Sequence, residues 1–270
     1  MTIQSSLQRD GVQLSSYSSP NGGRPVVFQH GLGGDHLQID AVFPLDADCS
    51  RMTLECRCHG NSEVGNLEQL SISTFSDDVI AMAKNAGLDR FIVGGISMGA
   101  AISIRIAVTH PELVSGLILG RPAWLCDSAP ENMKLMSKIG ILLSTMDGQE
   151  ARNAFLKLPE VVGLSELSPD NFNGLLAFFE REPKQIIGEL LERISNDGPG
   201  VSEDDLARID VPTLIVGTHD DVIHPMSYAN QLGQLIPNSQ VVEITSKSKD
   251  LDAYTTEFQN VISKFLREFS

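Results

Sequence analysis

The chain has 270 residues, 41% of them apolar, and this size suits one α/β domain that carries an insertion and buries a large core. Its formal net charge is −15, from 35 acidic and 20 basic residues, and no basic cluster offsets the excess. Binding to nucleic acid or to an anionic membrane is therefore not expected, because like charges repel.

The N-terminal sequence lacks the positive start and apolar core of a signal peptide, and no apolar run approaches the ~18 residues that span a bilayer. We therefore expect a cytoplasmic protein whose cysteines are reduced. A metal site at Cys56, Cys58 and His59 is not expected. Residues two apart on a strand leave on one face and do not bracket an ion.

Short apolar runs and helical patterns alternate along most of the chain. The predicted elements are a hairpin within residues 1–20, strands at 26–28 and 52–55, a helix at 73–86, strands at 91–93 and 114–119 on either side of a second helix, strands at 214–216 and 241–244, and a last helix at 257–269. This alternation favours an α/β fold with a mostly parallel, doubly wound sheet that helices cover on both faces.

The sharpest local signal is Gly95-Ile96-Ser97-Met98-Gly99, between an apolar strand and an apolar helix. A serine on so tight a turn adopts a strained backbone, and glycines two residues before and after it let the neighbouring chain pass closely. The amide of Met98 then lies at a helix N-terminus, where it can meet a developing negative charge. A glycine-rich turn is the alternative, but the strand and the helix favour Ser97 as a nucleophile.

Between residues 124 and 206 the alternation stops. Helical periodicity occupies 131–145, 150–157, 171–181 and 184–195, without strands between them. Trp124 opens this insertion, and we expect it near the rim of a mostly apolar pocket above Ser97, where it would contact the substrate.

Together with the serine turn, four other segments carry a family resemblance. They are His30-Gly31-Leu32-Gly33-Gly34, Arg57-Cys58-His59-Gly60-Asn61-Ser62, His110-Pro111-Glu112 and Gly217-Thr218-His219-Asp220-Asp221-Val222-Ile223-His224-Pro225. On these motifs the chain resembles the α/β-hydrolase fold superfamily, in its capped serine-hydrolase branch, over nearly all of its length. The resemblance implies a hydrolase core at 1–123 and 207–270 and a helical cap at 124–206.

The resemblance also implies roles for several residues. Ser97 would be the nucleophile, the amides of Leu32 and Met98 would hold the oxyanion, and His30 would brace its loop. The acid would be Asp221, which stands four residues before Pro225, although a Gly-x-x-Asp form of the motif would select Asp220. No metal and no organic cofactor is implied.

One expected residue is missing. The family's catalytic histidine follows the last strand, and counting back from Phe258 reaches Ser248 instead. A serine has no useful pKa for a base near neutrality. His36, His59, His224 and Lys249 are possible substitutes. Of these, His224 is expected to brace a turn, and Lys249 would need a strongly lowered pKa.

Two functions follow. The first is a serine-dependent hydrolase of a small apolar ester, thioester, lactone or ketone-activated C–C bond, with an atypical or missing base. The alternative is a binding or sensing protein for a small ligand that kept the pocket and lost turnover. The sequence leaves the substrate and the oligomeric state open.

Overall fold

A computed structural model describes residues 2–19, 22–44 and 48–268. Three predictions extend beyond this part of the chain. The predicted hairpin begins at residue 1 and ends at 20, the predicted last helix ends at 269, and the predicted core domain begins at 1 and ends at 270; these four residues lie outside the described ranges. The strands are β1 (Ile3–Arg9), β2 (Val12–Ser18), β3 (Arg24–Gln29), β4 (Cys49–Leu54), β5 (Phe91–Ile96), β6 (Val114–Gly120), β7 (Thr213–Gly217) and β8 (Ser239–Glu243). They form one sheet in the order β1-β2-β4-β3-β5-β6-β7-β8.

The pairs β1–β2 and β2–β4 are antiparallel, and the five remaining pairs are parallel. The helices are α1 (His36–Val42), α2 (Ile72–Asn85), α3 (Met98–Thr109), α4 (Lys134–Thr145), α5 (Gly148–Phe155), α6 (Leu164–Leu167), α7 (Pro169–Ala177), α8 (Lys184–Asn196), α9 (Glu203–Leu206), α10 (Met226–Leu235) and α11 (Leu251–Arg267). The predicted class, a mostly parallel α/β sheet with flanking helices, is confirmed.

Both faces of the central strands are buried, as their near-continuous apolar sequences predict. On one face Val27 of β3 belongs to an apolar cluster with Phe75 of α2 and Ile102 of α3. On the other face Phe28 packs in a second cluster with Ile39 of α1 and Phe258 of α11. Alternate residues of one strand thus serve the two layers of helices.

Every helix from α4 to α9 lies between β6 and β7, and no strand interrupts them within the described residues. This matches the predicted helical insertion. The boundaries assigned to the cap stay a prediction. One difference concerns α11, which begins at Leu251 rather than at residue 257, because the carboxylate of Asp250 accepts a hydrogen bond from the amide of Ala253 and caps the helix.

The carboxyl ends of the central strands meet at one edge of the sheet, where ligands bind in open α/β folds. There β3 leads into the loop at His30, β5 ends at Ser97, and β6 ends beside Arg121. The loop between β7 and α10 carries residues 218–225 to the same edge. The sheet therefore brings four distant parts of the chain together.

Two helical glycines should respond to alanine in opposite ways. A Cβ at Gly99 would collide with the carbonyl oxygen of Gln29, whereas a Cβ at Gly174 meets no atom within 4 Å. Alanine favours a helix by up to ~1 kcal/mol over glycine, so Gly174→Ala should raise the free energy of unfolding. Gly99→Ala should lower it by ~1–3 kcal/mol or more through overpacking. Urea unfolding of both variants tests this, and a stabilised Gly99→Ala would contradict the close approach of α3 to β3.

Candidate active site

Ser97 stands at the turn between β5 and α3 with φ 57° and ψ −113°, an unusual conformation for a residue other than glycine. Its amide donates to the carbonyl of Gly120 at 2.9 Å, which ties the turn to β6. A Cβ at Gly95 would lie 2.6 Å from the Gln29 carbonyl oxygen. The predicted strain at the serine and the close packing at its flanking glycines are confirmed.

The loop between β3 and α1 passes directly beside this serine. A Cβ built on Gly31 would lie 3.3 Å from the Cβ of Ser97. The loop is held by α1, because the Gly31 amide donates to Oε1 of Gln38 at 2.7 Å. Leu32 follows Gly31 in this loop, and Met98 is the first residue of α3. The role of their amides as oxyanion donors stays a prediction.

His224 is the residue that sequence reasoning placed wrongly. Its Nε2 lies 2.9 Å from Oγ of Ser97, so the ring reaches the serine hydroxyl and does more than brace a turn. Its Nδ1 lies 2.9 Å and 3.0 Å from the two carboxylate oxygens of Asp221. Both ring nitrogens are thus engaged, one by the hydroxyl and one by an acid. This is the connectivity of a serine, histidine and aspartate triad.

Asp221, and not Asp220, is the acid beside the histidine. The side chain of Asp220 pairs instead with Lys249 at 2.9 Å near the surface. Asp221 also accepts a hydrogen bond from the backbone amide of His224 at 3.0 Å and another from Nε of Arg121 at 2.8 Å. One loop therefore supplies both the carboxylate and the imidazole, three residues apart.

Burial and charge set the ionisation of this pair. Burial raises the pKa of Asp221, but the electrostatic interactions and hydrogen bonds with His224 and Arg121 outweigh that effect and hold the pKa well below its ordinary value. Burial lowers the pKa of His224; Asp221 opposes this shift and Arg121 adds to it. The carboxylate is therefore ionised, and the imidazole is neutral near pH 7. A neutral imidazole can accept a proton from the serine.

Two other histidines have structural roles. Nδ1 of His30 donates to the carbonyl of Gly31 at 2.8 Å and its Nε2 accepts from the amide of Cys56 at 3.0 Å, so His30 braces its loop as predicted. His36 stacks on Tyr17 with ring centroids 3.6 Å apart, and Glu55 accepts from its Nδ1 at 2.7 Å. Neither ring takes the place of the missing base.

The remaining substitutes are also accounted for. His59 is buried, which lowers its pKa to about 3, and its Nδ1 is bonded to the carbonyl of Arg57 at 2.9 Å. The ion pair with Asp220 raises the pKa of Lys249, which is the opposite of what a lysine base requires. Ser248 shares a hydrogen bond with the hydroxyl of Ser246 at 2.8 Å.

Trp124 does not lie at a rim. Its side chain has no exposed surface, and its Nε1 donates to the backbone carbonyl of Asp197 at 2.9 Å. It ties the beginning of the insertion to its end. Residues of the helical insertion nearer the site are Phe178 and Arg181, since a Cβ on Gly33 would lie 2.5 Å from Cε1 of Phe178 and 3.0 Å from a guanidinium nitrogen of Arg181.

The described part of the chain shows no group of three or more His, Cys, Asp or Glu side chains placed to hold a metal ion. All four cysteines are free thiols, and burial raises the pKa of Cys56 well above its ordinary value. None of the helices in the described ranges is long and apolar enough to cross a membrane.

A local signal could have identified the base. Asp221-Val222-Ile223-His224 places two catalytic residue types three apart in a loop that ends at Pro225. A tight turn brings side chains at that spacing together. The family pattern, counted back from the last helix, points instead to a different loop, at Ser248.

Comparisons with known proteins agree with the fold. A family model described as "Alpha/beta hydrolase family" matches residues 26–246. The chain is 29% identical over 260 residues to "Putative carbamate hydrolase RutD" of Rhizobium rhizogenes, covering 90% of this chain and 93% of the relative. It is 26% identical to "Pyrrolizixenacetamide deacetylase" of Xenorhabdus hominickii, covering 85% of each.

Solved structures show the same fold at lower identity. The enol-lactonase from Burkholderia xenovorans LB400 superposes with a TM-score of 0.73 at 18% identity, covering 97% of this chain and all of that one. The esterase EaEST from Exiguobacterium antarcticum superposes with a TM-score of 0.72 at 18% identity, covering 98% and 100%.

Proposed function

Because the chain belongs to the alpha/beta hydrolase family, we propose that it is a serine hydrolase with Ser97 as nucleophile, His224 as general base and Asp221 as the acid that orients the base. One observation carries the proposal. The hydroxyl, the imidazole and the carboxylate form a continuous hydrogen-bonded row, with contacts of 2.9 Å on both sides of the ring. The predicted hydrolase therefore has a base, supplied from the acid loop.

The row accounts for both halves of an acyl transfer. Oγ of Ser97 attacks the carbonyl carbon while Nε2 of His224 takes the hydroxyl proton. The tetrahedral oxyanion is held by the amides of Leu32 and Met98, and its collapse expels the leaving group, which receives the proton from Nε2. Water then attacks the acyl-enzyme with the same assistance from His224, and Ser97 regains its proton as the acid product leaves. Asp221 keeps Nδ1 protonated and stabilises the imidazolium.

The substrate we propose is a small carbonyl compound with an oxygen or nitrogen leaving group: an ester, a lactone or a carbamate. The relatives are named as a carbamate hydrolase and a deacetylase, and the structural neighbours include a lactonase and an esterase. The common chemistry is attack on a carbonyl carbon followed by loss of a heteroatom.

A covalent probe tests the nucleophile directly. We expect a fluorophosphonate to add once per chain, with the adduct on Ser97 by mass spectrometry, and Ser97→Ala to lose both the label and the turnover of short-chain nitrophenyl esters. A matched panel of nitrophenyl acetate and nitrophenyl N-methylcarbamate then compares two of the proposed leaving-group classes. If the unmodified protein is neither labelled nor faster than Ser97→Ala, the alternative function of a small-ligand binding or sensing protein is supported instead.

A further inference from the structure

The beginning of the cap helix α7 is in direct contact with the loop that carries the acid and the base. Oδ1 of Asn171 accepts hydrogen bonds from the amides of Val222 and Ile223, at 2.7 Å and 3.0 Å. The hydroxyl of Ser168, the residue just before the same helix, donates to the carbonyl of Asp220 at 2.6 Å. These bonds engage the backbone of three of the four residues just before His224.

The loop needs such an external acceptor. Residues 220–224 belong to neither a strand nor a helix, so no regular ladder satisfies their amides. Asn171 is 6% exposed and Ile223 is 3% exposed, which shields these bonds from water. A buried amide without a partner is costly, and the loop would move to find another one. The position of His224 therefore depends on a side chain of the cap.

A second tie joins the same helix to the acid. The guanidinium of Arg121 lies between Asp221, which accepts from its Nε at 2.8 Å, and Asp170 of α7, which is 3.3 Å from its Nη2. Arg121 is itself fixed to the sheet, because its amide donates to the carbonyl of Val216 at 2.7 Å. Adjacent residues of α7 thus hold the acid from one side and the backbone before the base from the other.

We propose that Asn171 is a positioning residue for His224, so that the cap, and not the core alone, keeps the base within bonding distance of Ser97. The inference rests on the proposed function, in which His224 is the base. The start of α7 then helps to hold the base in place. Where the histidine follows the last strand, as in the family pattern, the loop after β8 has that role. The positioning role of Asn171 also requires that this part of the cap stays docked during turnover.

The kinetic test uses two asparagines of one helix. Asn171→Ala should lower kcat on the order of 10–100-fold, since a displacement of about 1 Å in a reacting group can cost that much. The KM for a nitrophenyl ester should change little, because Asn171 is not proposed to touch substrate. Asn173 is exposed two residues further along α7, and Asn173→Ala should leave both constants unchanged. A kcat for Asn171→Ala within twofold of the unmodified protein would overturn the proposal.

The isosteric variant Asn171→Asp separates positioning from general stability. Its carboxylate still accepts from the two amides, so kcat at alkaline pH should stay near that of the unmodified protein. The groups that face His224 are Asp221, Arg121 and Asp170, and a further negative charge beside them favours the imidazolium. The pKa of His224 should therefore rise, and the acidic limb of the kcat/KM profile should move to higher pH. If the acidic limb of the kcat/KM profile does not move, the location of Asn171 close to His224 is contradicted.

The proposal can be tested even without turnover. NMR titration of the six histidines, with the His224 signal assigned by its loss in His224→Gln, reports the pKa and the environment of this ring directly. We expect the His224 signal to shift in Asn171→Ala and its pKa to rise in Asn171→Asp, with no change in Asn173→Ala. If neither Asn171→Ala nor Asn171→Asp moves the His224 signal, the positioning role is overturned. Absence of Ser97-dependent turnover alongside shifted signals would overturn only the proposed function.

Discussion

His224→Ala is expected to lower kcat by ~10⁴–10⁶-fold, because removal of the base from a serine triad leaves only the oxyanion hole and substrate binding to assist the reaction. The imidazole lies 2.9 Å from the Ser97 hydroxyl, and the other candidate bases are engaged elsewhere. Steady-state hydrolysis of a nitrophenyl ester, with Ser97→Ala as the background rate, provides the measurement. The double variant, His224→Ala with Ser97→Ala, should be no slower than either single variant, since the two residues act as a unit.

Ser248 supplies the control for this experiment. Ser248→Ala should leave kcat within about twofold, because its hydroxyl is bonded to Ser246 and has no part in the proposed chemistry. Ser248→His should not restore activity to His224→Ala, although it returns a histidine to the position that the family pattern implies. Rescue by Ser248→His would show that the base position after β8 is still functional and would contradict the assignment to His224.

Asp221→Asn should lower kcat by about 10⁴-fold, while Asp220→Asn should change it by only a few-fold. An amide at position 221 can donate to Nδ1 of His224 and so favour the tautomer whose Nε2 already carries the proton. Asp220 pairs with Lys249 at an exposed site, where such a pair contributes ~1 kcal/mol or less. Asp220 also has φ 56°, a conformation that asparagine tolerates well.

The comparison of two adjacent aspartates controls for the loop itself. Asp221→Asn leaves the buried guanidinium of Arg121 with one fewer charged partner, so the thermal midpoint of each variant should be measured beside its rate. A loss of activity in a variant that is still folded at the assay temperature supports the catalytic role. Equal losses in the two variants would indicate that the loop conformation, and not the Asp221 carboxylate, is what the substitutions disturb.

The layout of the fold could be predicted from local patterns because each pattern has a local cause. Apolar strands alternate with helices, and the close approach of Gln29 to Gly95 and Gly99 requires glycine at both positions. The sharp turn at Ser97 could be predicted for the same reason, since these two glycines flank it. Asp221 could be preferred over Asp220 by its spacing to Pro225, and the contacts of the two side chains agree with that preference.

The position of the proposed base could not be predicted in this way. Its contact with Ser97 joins residues 127 positions apart, and nothing in the local sequence reports which way the ring of His224 turns. The resemblance directed the search to the loop after β8, where Ser248 stands. The prediction for Trp124 was wrong for a related reason. An aromatic residue at a domain junction suits either a rim or an interior, and the indole of Trp124 is bonded to the carbonyl of Asp197 inside the protein. Asn171 carried no motif at all.

The pairing of acid and base on one loop also changes how the site can assemble during folding. Bringing together distant segments of a flexible chain costs an entropy that rises with the length of chain between them. Here a single closure, between the turn at Ser97 and the loop at 221–224, completes the hydrogen-bonded row, whereas a histidine after β8 would demand a second one. None of the three residues of the row lies in the last helix, whose Tyr254 hydroxyl is 3.5 Å from Arg121, the partner of Asp221. Formation of the row therefore does not have to wait for the C-terminal segment to dock.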